Sequence, residues 1–315
     1  MLQRPKIVVI GSLNVDHTLR VPHIPAPGET ITATAGFTCL GGKGANQALA
    51  AARAGGDVTL IGCVGEDDFG TRYIEHLRNE GIHTEAIMKA GQSTGCAFIT
   101  VDDTGENSIV VSPGANHALT PTHVEEHAAL IRSAAALLLQ LECPLPTVLH
   151  AVSIATAAGV PVFLNPSPLT PEFIQARVEV DTLILNAQEA ATLVSMTPVE
   201  IDASSQRALA AAHCRQMIVT RGGDPTLVIT ASEILKIAPP QVTPVDSVGA
   251  GDAFAGAFTV AYASGMPLEE AIHFANAAGA LATQGMGAQR SIPGHDAILA
   301  IMGRGTAGTE RGSAR

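Results

Sequence analysis

The sequence predicts an α/β fold in which helices cover both faces of a parallel sheet, giving three layers. Short apolar runs rich in β-branched residues alternate with Ala-rich stretches of helical pattern, which is typical of βαβ units. The chain has 315 residues, of which 46% are hydrophobic and 15% charged, so it can bury a large core. Its length fits one large α/β domain with an accessory element, or two domains.

The elements alternate regularly along the chain. Buried strands are predicted at 6–10, 58–62, 137–141, 162–165, 182–186 and 217–220. Helices are predicted at 45–54, 69–79, 121–133, 148–158, 188–194, 204–213 and 253–263. Turn signals agree, because Thr120 precedes Pro121 as a helix cap and Gly55-Gly56 ends a helix before a strand.

Segments 16–38 and 93–112 interrupt this alternation, and both have the pattern of β-hairpins. The first contains a short strand, three prolines and an alternating stretch at 29–35, and the second has two strands around the turn 102–105. They form either a small β-sheet lid over the carboxyl ends of the parallel strands or surface decoration. The predicted main domain is therefore 1–15, 39–92 and 113–302, the lid is 16–38 and 93–112, and the polar tail 303–315 is expected to be disordered.

Composition excludes several classes of protein. The formal net charge is −11, aromatic residues make up 3% and Trp is absent, which disfavours a nucleic-acid partner. Five widely separated cysteines with no C-x-x-C pair favour reduced thiols over disulfides or a zinc site. The apolar run at 1–10 is too short for a signal peptide, and no run is long enough to span a membrane. We expect a cytoplasmic protein without a membrane partner.

The most informative motif is the segment 246–254, Asp-Ser-Val-Gly-Ala-Gly-Asp-Ala-Phe. Its glycines let the backbone approach a ligand, and free N–H groups at the start of the predicted helix 253–263 form an anion site. An acid there would repel a phosphate, so Asp252 makes chemical sense as a base that takes a proton from a hydroxyl beside that phosphate. A capped core helix is an equally good interpretation of this motif alone.

Two further polar motifs follow predicted strands or open helices. Asn14 and Asp16 lie just past the strand 6–10 and point the same way, so they can grip vicinal hydroxyls; a polar turn is the alternative. The segment 41–47 places glycines and Lys43 at a helix start. It is not a P-loop, because positions 37 and 44 are Phe and Gly, and no G-x-G-x-x-G fingerprint occurs there or at 249–251.

Three more strand ends carry candidate residues. Glu142 follows the run 137–141, although a solvated loop acid is the simpler interpretation. Asn186 and Glu189 are three apart on one helical face and can hold a hydrated Mg²⁺, or they form a helix cap. Residues 220–223, Thr-Arg-Gly-Gly, can bind nucleotide phosphates or form a plain hairpin turn. The eleven histidines show no metal-ligand spacing.

Together these residues resemble the ribokinase family of sugar and nucleoside kinases. The resemblance runs from about residue 6 to 293 and depends on the motifs at 41–48, 65–70 and 246–252. It implies a ribokinase-like three-layer α/β domain with a small β-sheet lid, a homodimer formed through the lid, and transfer of the ATP γ-phosphate to a primary hydroxyl. ATP, Mg²⁺ and a monovalent cation, K⁺, are the implied cofactors.

The resemblance also implies roles for individual positions. Asp252 is the expected base, and Gly249, Ala250 and Gly251 stabilise charge on the moving phosphoryl group. The expected sugar ligands are Asn14, Asp16, Gly42, Lys43, Asn46, Glu142 and Asp252. The expected nucleotide and Mg²⁺ residues are Asn186, Glu189, Thr220, Gly222, Gly223, Gly251 and Asn276. The expected K⁺ site comprises Asp246, Val248, Ala282, Gly285, Gly287 and Ser291.

The dense polar set around Asn14 favours a small polyhydroxylated sugar. We predict phosphorylation of the primary 5-hydroxyl of ribose, with deoxyribose, another sugar or a nucleoside as alternatives; the first lid segment has only Phe37 to sandwich a base. A non-catalytic sugar-binding regulator is disfavoured by the intact motif at 249–252, and a hydride-transfer enzyme by the missing glycine fingerprint. Ser247 where Thr is commoner, and Asp224-Pro225 where a further Gly is frequent, depart from the family pattern.

Overall fold

A computed structural model describes residues 4–306, and its larger part is a nine-stranded sheet between two layers of helices. The sheet order is β13-β12-β11-β10-β9-β8-β1-β4-β5. Its strands are β1 Lys6–Ile10, β4 Asp57–Gly65, β5 Ile87–Ala90, β8 Ala136–Leu139, β9 Val162–Leu164, β10 Val180–Asn186, β11 Cys214–Arg221, β12 Asp224–Thr230 and β13 Ile234–Ile237.

Twelve α-helices and one short 3-10 helix, Gly114–Ala118, lie in the described part of the chain. The α-helices are α1 Lys43–Arg53, α2 Asp68–Asn79, α3 Pro121–Glu126, α4 Ala128–Arg132, α5 Leu145–Ala158, α6 Pro171–Ala176, α7 Ala187–Val194, α8 Pro198–Ala203, α9 Ser205–Ala211, α10 Ala250–Ala263, α11 Leu268–Ala282 and α12 His295–Thr306.

Successive side chains along the strands of this sheet point to opposite faces and pack into two separate apolar cores. In β1, Ile7 and Val9 pack with α1, α10 and α11, whereas Val8 and Ile10 pack with α5 on the opposite face. Because both faces are buried, the central strands are continuous apolar runs rather than alternating ones. This architecture confirms the predicted three-layer α/β fold.

The two insertions pair with each other in a separate four-stranded sheet, which we call the small sheet. Its order is β3-β2-β6-β7, formed by β2 Asn14–Arg20, β3 Ala35–Gly41, β6 Gly95–Val101 and β7 Asn107–Ser112. β2 pairs antiparallel with β3 and parallel with β6. Since β2 begins at Asn14, residues 14–15 and 39–41, which the sequence assigned to the main domain, are part of the small sheet.

Three predicted local structures were wrong. The alternating stretch 29–35 is not a strand: prolines remove N–H donors before it, and Glu29 accepts the Ala26 N–H (2.9 Å) in a turn, so β3 starts only at Ala35. The helix predicted at 121–133 is two short helices, because His127 leaves helical geometry at φ −105°. Four residues of the tail predicted to start at 303 continue α12 to Thr306, and 307–315 lie outside the described residues.

The sheet is also not wholly parallel. Residues 220–223 include the turn between β11 and β12, which pair antiparallel, and β13 extends this antiparallel edge. The hairpin interpretation of that segment is therefore correct for its backbone. The strand pattern missed β5, β12 and β13, while α6, α8, α11 and α12 were also not predicted.

Candidate active site

The polar residues collect where the parallel strands end. β1, β8, β9 and β10 stop at Ile10, Leu139, Leu164 and Asn186. Asn165 and Asn186, at the ends of β9 and β10, line a cavity together with the first turn of α10. In open α/β sheets the carboxyl edge is the ordinary place for a ligand. The predicted strand-end residues are therefore brought to one region.

Asp252 lies in the first turn of α10 and is 6% exposed. The Asn46 side chain donates to its Oδ2 (2.9 Å), and the Gln47 side chain donates to its Oδ1 (2.9 Å). Each carboxylate oxygen thus accepts one amide hydrogen bond, which fixes the carboxylate plane and keeps lone pairs available for a further donor. Asn46, predicted as a sugar ligand, lies directly against the predicted base.

A chain of hydrogen-bonded side-chain amides, which the sequence did not predict, holds Gln47 in place. Gln140 donates to Gln47 Oε1 (2.6 Å), Gln47 also donates to Asn165 Oδ1 (3.1 Å), and Asn165 donates to the Ile184 carbonyl (2.8 Å). A sequence signal existed for Gln140, a polar residue inside an apolar strand run. The row ties Asp252 to strands β8, β9 and β10.

The start of α10 has a backbone geometry that requires glycine. Its N-cap Gly249 has φ +82°, and a Cβ there would lie 2.9 Å from Ala288 Cα, so only glycine fits. The N–H groups of Gly251 and Asp252 fall in the first turn, where a helix offers no backbone acceptor. The Ala250 N–H, by contrast, donates to the Ser247 carbonyl (3.2 Å) and is less available than the motif suggested.

Lys43 supplies a cation to this region. Burial alone lowers the pKa of its ammonium, but the carboxylates of Asp252, Glu142 and Glu189 outweigh burial and raise that pKa above its usual value. The group is therefore charged at neutral pH. A cavity of about 210 Å³ brings together seven predicted residues, which are Lys43, Asn186, Glu189, Thr220, Gly249, Gly251 and Asp252.

Asn14 and Asp16 occupy the neighbouring part of the site, on the first strand of the small sheet. Asn116, a buried residue that the sequence reasoning missed, donates to Asn14 Oδ1 (2.7 Å) and also bonds both main-chain groups of Leu13. Asp16 lies so close to Gly41 that a side chain there would overlap its carboxylate. No local sequence pattern distinguishes Asn116 from an ordinary loop residue.

The ionisation of Asp16 is strongly perturbed. Burial raises the pKa of this carboxyl to about 7, and the negative charges of Glu142 and Asp252 add to the increase. Three carboxylates therefore share one small region, with Lys43 as the balancing charge. Hydrogen bonds donated to Asp16 by hydroxyl groups would offset the free-energy cost of burying its charge.

Glu142 is not a solvated loop acid. Its Oε2 accepts hydrogen bonds from the Ser12 hydroxyl and from the Lys43 N–H (3.0 Å), and the Ser12 hydroxyl also accepts the Gly44 N–H (3.3 Å). The carboxylate thus stabilises the N-terminus of α1. Gly42, the N-cap of α1 at φ +88°, passes so close to Asn14 N that a Cβ would lie 2.7 Å from it.

Asn186 and Glu189 form a complete capping box at the start of α7. Asn186 Oδ1 accepts the Glu189 N–H (2.8 Å), and Glu189 Oε2 accepts the Asn186 N–H (2.9 Å). The structural interpretation of this pair is therefore correct. Both residues also line the cavity of Lys43, so the cap leaves Glu189 Oε1 and the Asn186 amide nitrogen for a ligand.

The remaining nucleotide candidates divide into two groups. Thr220 and Gly222 line a second cavity of about 510 Å³ that shares Asn186 with the first, and Gly223 completes the adjoining turn. Asn276 is buried away from these cavities: it accepts from Thr226 (2.7 Å) and donates to the Ile237 carbonyl (3.0 Å). Its amide thus joins α11 to β12 and β13 through one accepted and one donated hydrogen bond.

The predicted cation residues converge on two adjoining loops. Asp246 Oδ1 accepts the Val248 N–H (3.0 Å), and Asp246 Oδ2 accepts the Gly287 N–H (3.0 Å). Ser291 donates to the Gly287 carbonyl (2.9 Å) and packs against Gly285, while Ala282 ends α11 just before this loop. Asp246 and Gly287 thus have structural partners whether or not an ion binds.

Within residues 4–306, no group of three or more His, Cys, Asp or Glu side chains is placed to hold a metal ion. No helix in that same range is long and apolar enough to cross a bilayer.

The chain matches known proteins over nearly its whole length. The model of the family described as pfkB family carbohydrate kinase matches residues 4–294. The chain belongs to the pfkB family of carbohydrate kinases. This membership confirms the resemblance that the motifs indicated.

Individual relatives support this membership. A ribokinase from Haemophilus influenzae is 38% identical over 309 residues, covering 95% of this chain and 99% of that protein. A bifunctional ribokinase/ribose-5-phosphate isomerase A from Fructilactobacillus sanfranciscensis is 38% identical over 94% of this chain, which spans 56% of that protein. The structure of Arabidopsis thaliana ribokinase complexed with ribose and ATP has a TM-score of 0.88 at 31% identity, covering 95% of this chain and 99% of that one.

Proposed function

We propose that this protein is an ATP-dependent kinase that phosphorylates the primary 5-hydroxyl of D-ribose, giving ribose 5-phosphate and ADP. The observation that carries the proposal is the position of Asp252. Its carboxylate, oriented by Asn46 and Gln47, shares a cavity with the Lys43 ammonium and the start of α10. Relatives of nearly equal length that are named ribokinases support ribose as the sugar.

In the proposed reaction Asp252 accepts the proton of the sugar hydroxyl. The hydroxyl oxygen then forms a bond to the γ-phosphorus, and the bond between that phosphorus and the ADP oxygen breaks. The Gly251 and Asp252 N–H groups and Lys43 face the negative charge of the transferred group, because phosphoryl transfer depends on positioning and charge neutralisation. Asn46 Oδ1, buried without a partner among the described residues, can accept from a sugar hydroxyl beside Asp252.

The cofactor assignments fit the donors at the site. The two cavities that share Asn186 and Thr220 offer room for a nucleotide beside Asp252. Glu189 Oε1 and the second lone pair of Asn186 Oδ1 would accept hydrogen bonds from the water shell of Mg²⁺, and the ion would neutralise phosphate charge. The K⁺ assignment involves Asp246, Val248, Ala282, Gly285, Gly287 and Ser291, whose backbone carbonyls suit a monovalent cation. We assign the enzyme to the cytoplasm, which five free cysteines favour.

The substrate assignment is tested by coupled ADP release with ribose, 2-deoxyribose, fructose and adenosine, each with K⁺ and with K⁺ replaced by a large organic cation. We expect the highest kcat/KM with ribose and a higher rate with K⁺. A preference for adenosine, or ADP release that no sugar accelerates, would contradict the assignment. Loss of the K⁺ effect alone would remove only the cation site.

We further propose that the small sheet is a lid and that two copies of the protein pair through it. Phe37, Ile109 and Val111 lie on its face that also carries Asp16, because cross-strand partners share a face. Ile109 is 52% and Val111 49% exposed, so this face presents apolar surface to solvent. A partner's lid packed there would also exclude water from the sugar.

The lid proposal predicts that Ile109→Asp dissociates the dimer and raises the KM for ribose. A buried carboxylate without a partner is costly, so the effect should be visible by sedimentation velocity at micromolar concentration. Val110→Asp is the matched control, since Val110 lies on the opposite face and is 65% exposed. A wild-type protein that is monomeric throughout, or dissociation by the control alone, would refute this interface.

A further inference from the structure

A buried tyrosine connects two separate parts of the site. Tyr73, in α2, has no exposed surface. Its hydroxyl donates to the Gly41 carbonyl and accepts a hydrogen bond from Gln289 Nε2 (2.7 Å). Neither Tyr73 nor Gln289 belongs to the catalytic, sugar, nucleotide or cation sets assigned above.

The direction of these two hydrogen bonds is determined by chemistry. A carbonyl oxygen can only accept, so the single Tyr73 proton must point to Gly41, and Gln289 must present its NH₂ group to the tyrosine oxygen. Burial and the nearby Asp16 charge raise the pKa of the Tyr73 hydroxyl well above its usual value, so that proton stays in place. Gln289 Oε1 is left buried and unpartnered within the described part of the chain.

The Gly41 carbonyl belongs to a backbone segment that contacts several of the proposed sugar ligands. Gly41 pairs with Asn14 across the small sheet, and its Cα lies against the Asp16 carboxylate. The next residue is the N-cap Gly42, which leads directly into Lys43. A hydrogen bond that fixes this carbonyl therefore fixes the backbone between Asp16 and Lys43.

Gln289 is held by the loop that carries the candidate cation residues. Its own carbonyl accepts from Arg53 (3.1 Å), which anchors the backbone. The two preceding residues contact the catalytic segment: the Gly287 N–H donates to Asp246, and Ala288 packs on Gly249. Residues 287, 288 and 289 thus contact, in turn, Asp246, the N-cap of α10 and, through Tyr73, the turn at Gly41.

We propose that Gln289 is a positioning residue for the acceptor sugar: its amide directs the Tyr73 proton to Gly41 and so couples residues 285–291 to the Asp16 side of the site. The proposal rests on the sugar-kinase function above. Ordering of the 285–291 loop by a monovalent cation would tighten the sugar site without any contact between the two ligands. The coupling is reciprocal, so ribose would also tighten cation binding.

The test compares Gln289→Met, Tyr73→Phe and their combination with wild type. Both substitutions keep side-chain volume, and Tyr73→Phe keeps the ring packing, so folding is retained. We expect the Kd for ribose, measured by calorimetry without ATP, to rise about tenfold in each single variant, as for loss of one buried hydrogen bond. The double variant should be little worse than Tyr73→Phe alone, because Gln289 acts through that hydroxyl.

Kinetics separate positioning from general damage. In both single variants kcat at saturating ribose should stay within about twofold of wild type, while KM for ribose rises and its dependence on K⁺ weakens. Gln216→Met is the matched control: Gln216 is a buried glutamine that donates to Thr182 (3.5 Å) outside the site, and its KM should not change.

Either of two results would overturn the inference. One is an unchanged ribose Kd in both single variants, and the other is a lower kcat with an unchanged KM. Absence of ribose-dependent ADP formation in the wild type would instead refute the proposed function, so the two failures are distinguishable.

Discussion

Replacing Asp252 with Asn should reduce kcat for ATP-dependent ribose phosphorylation by about 10²- to 10⁴-fold, the usual contribution of a positioned general base. The amide of Asn cannot take the hydroxyl proton, and the substitution also removes the negative charge beside the nucleophile. Sugar binding should persist, because Asn14, Asp16 and Lys43 are untouched. Single-turnover kinetics and ribose calorimetry measure the two effects separately.

The variant should fold, since the surrounding amides can adapt. Asn46 Oδ1 has no partner among the described residues, so Asn46 can turn over and accept from the new amide. Asp181→Asn is the control: Asp181 accepts the Val162 N–H (2.8 Å) near the start of β10, far from the cavity, and an amide oxygen can do the same. Turnover of Asp252→Asn within about tenfold of wild type would refute its role as base.

Asp16→Asn should weaken ribose binding by about ten- to a hundredfold, the effect of losing charge-assisted hydrogen bonds to sugar hydroxyls. It should also stabilise the ligand-free protein at neutral pH, because it removes a charge that burial and two neighbouring carboxylates disfavour. An opposite change in affinity and in stability is typical of a functional residue. Unchanged ribose affinity would contradict the role assigned to Asp16.

The difference in stability between Asp16→Asn and wild type should depend on pH in a definite direction. The carboxyl has a pKa of 3.8 in the unfolded chain and about 7 in the folded protein. Between those values the folded state binds the proton more tightly, so the contribution of Asp16 to stability falls as pH rises. The Tm of Asp16→Asn minus that of wild type should therefore grow from about pH 4 to about pH 7 and then level off. A difference that does not vary with pH would exclude this ionisation.

Much of the site could be predicted because its residues are adjacent in sequence to recognisable elements. Asn14, Glu142 and Asn186 follow strands, and the glycines before Asp252 precede a small-residue helix. Parallel strands end at one edge of a sheet, so each such residue is placed there by the fold itself. The apolar runs and turn residues predicted six of the nine main-sheet strands for the same reason.

What the sequence could not predict depends on contacts between distant segments. The amide row from Gln47 to Gln140 and Asn165 joins residues up to 118 positions apart, and Asn116 orients Asn14 across 102 positions. The antiparallel strands β12 and β13 were missed because their exposed ends weaken the apolar pattern. The hydrogen bonds by which Asn276 joins α11 to β12 and β13 were likewise not predictable, because they link residues 39 and 50 positions apart.

The attachment of β2 to β1 places the proposed sugar ligands and the proposed base on different parts of the molecule. Only residues 11–13 separate the two strands, and Asn14 and Asp16 belong to the small sheet whereas Asp252 belongs to the main body. A movement of the proposed lid relative to the main sheet would therefore change the distance between Asp16 and Asp252. In the proposed reaction a bound pentose would bridge that distance, and water, which is too small to contact both groups, would be a poor phosphoryl acceptor.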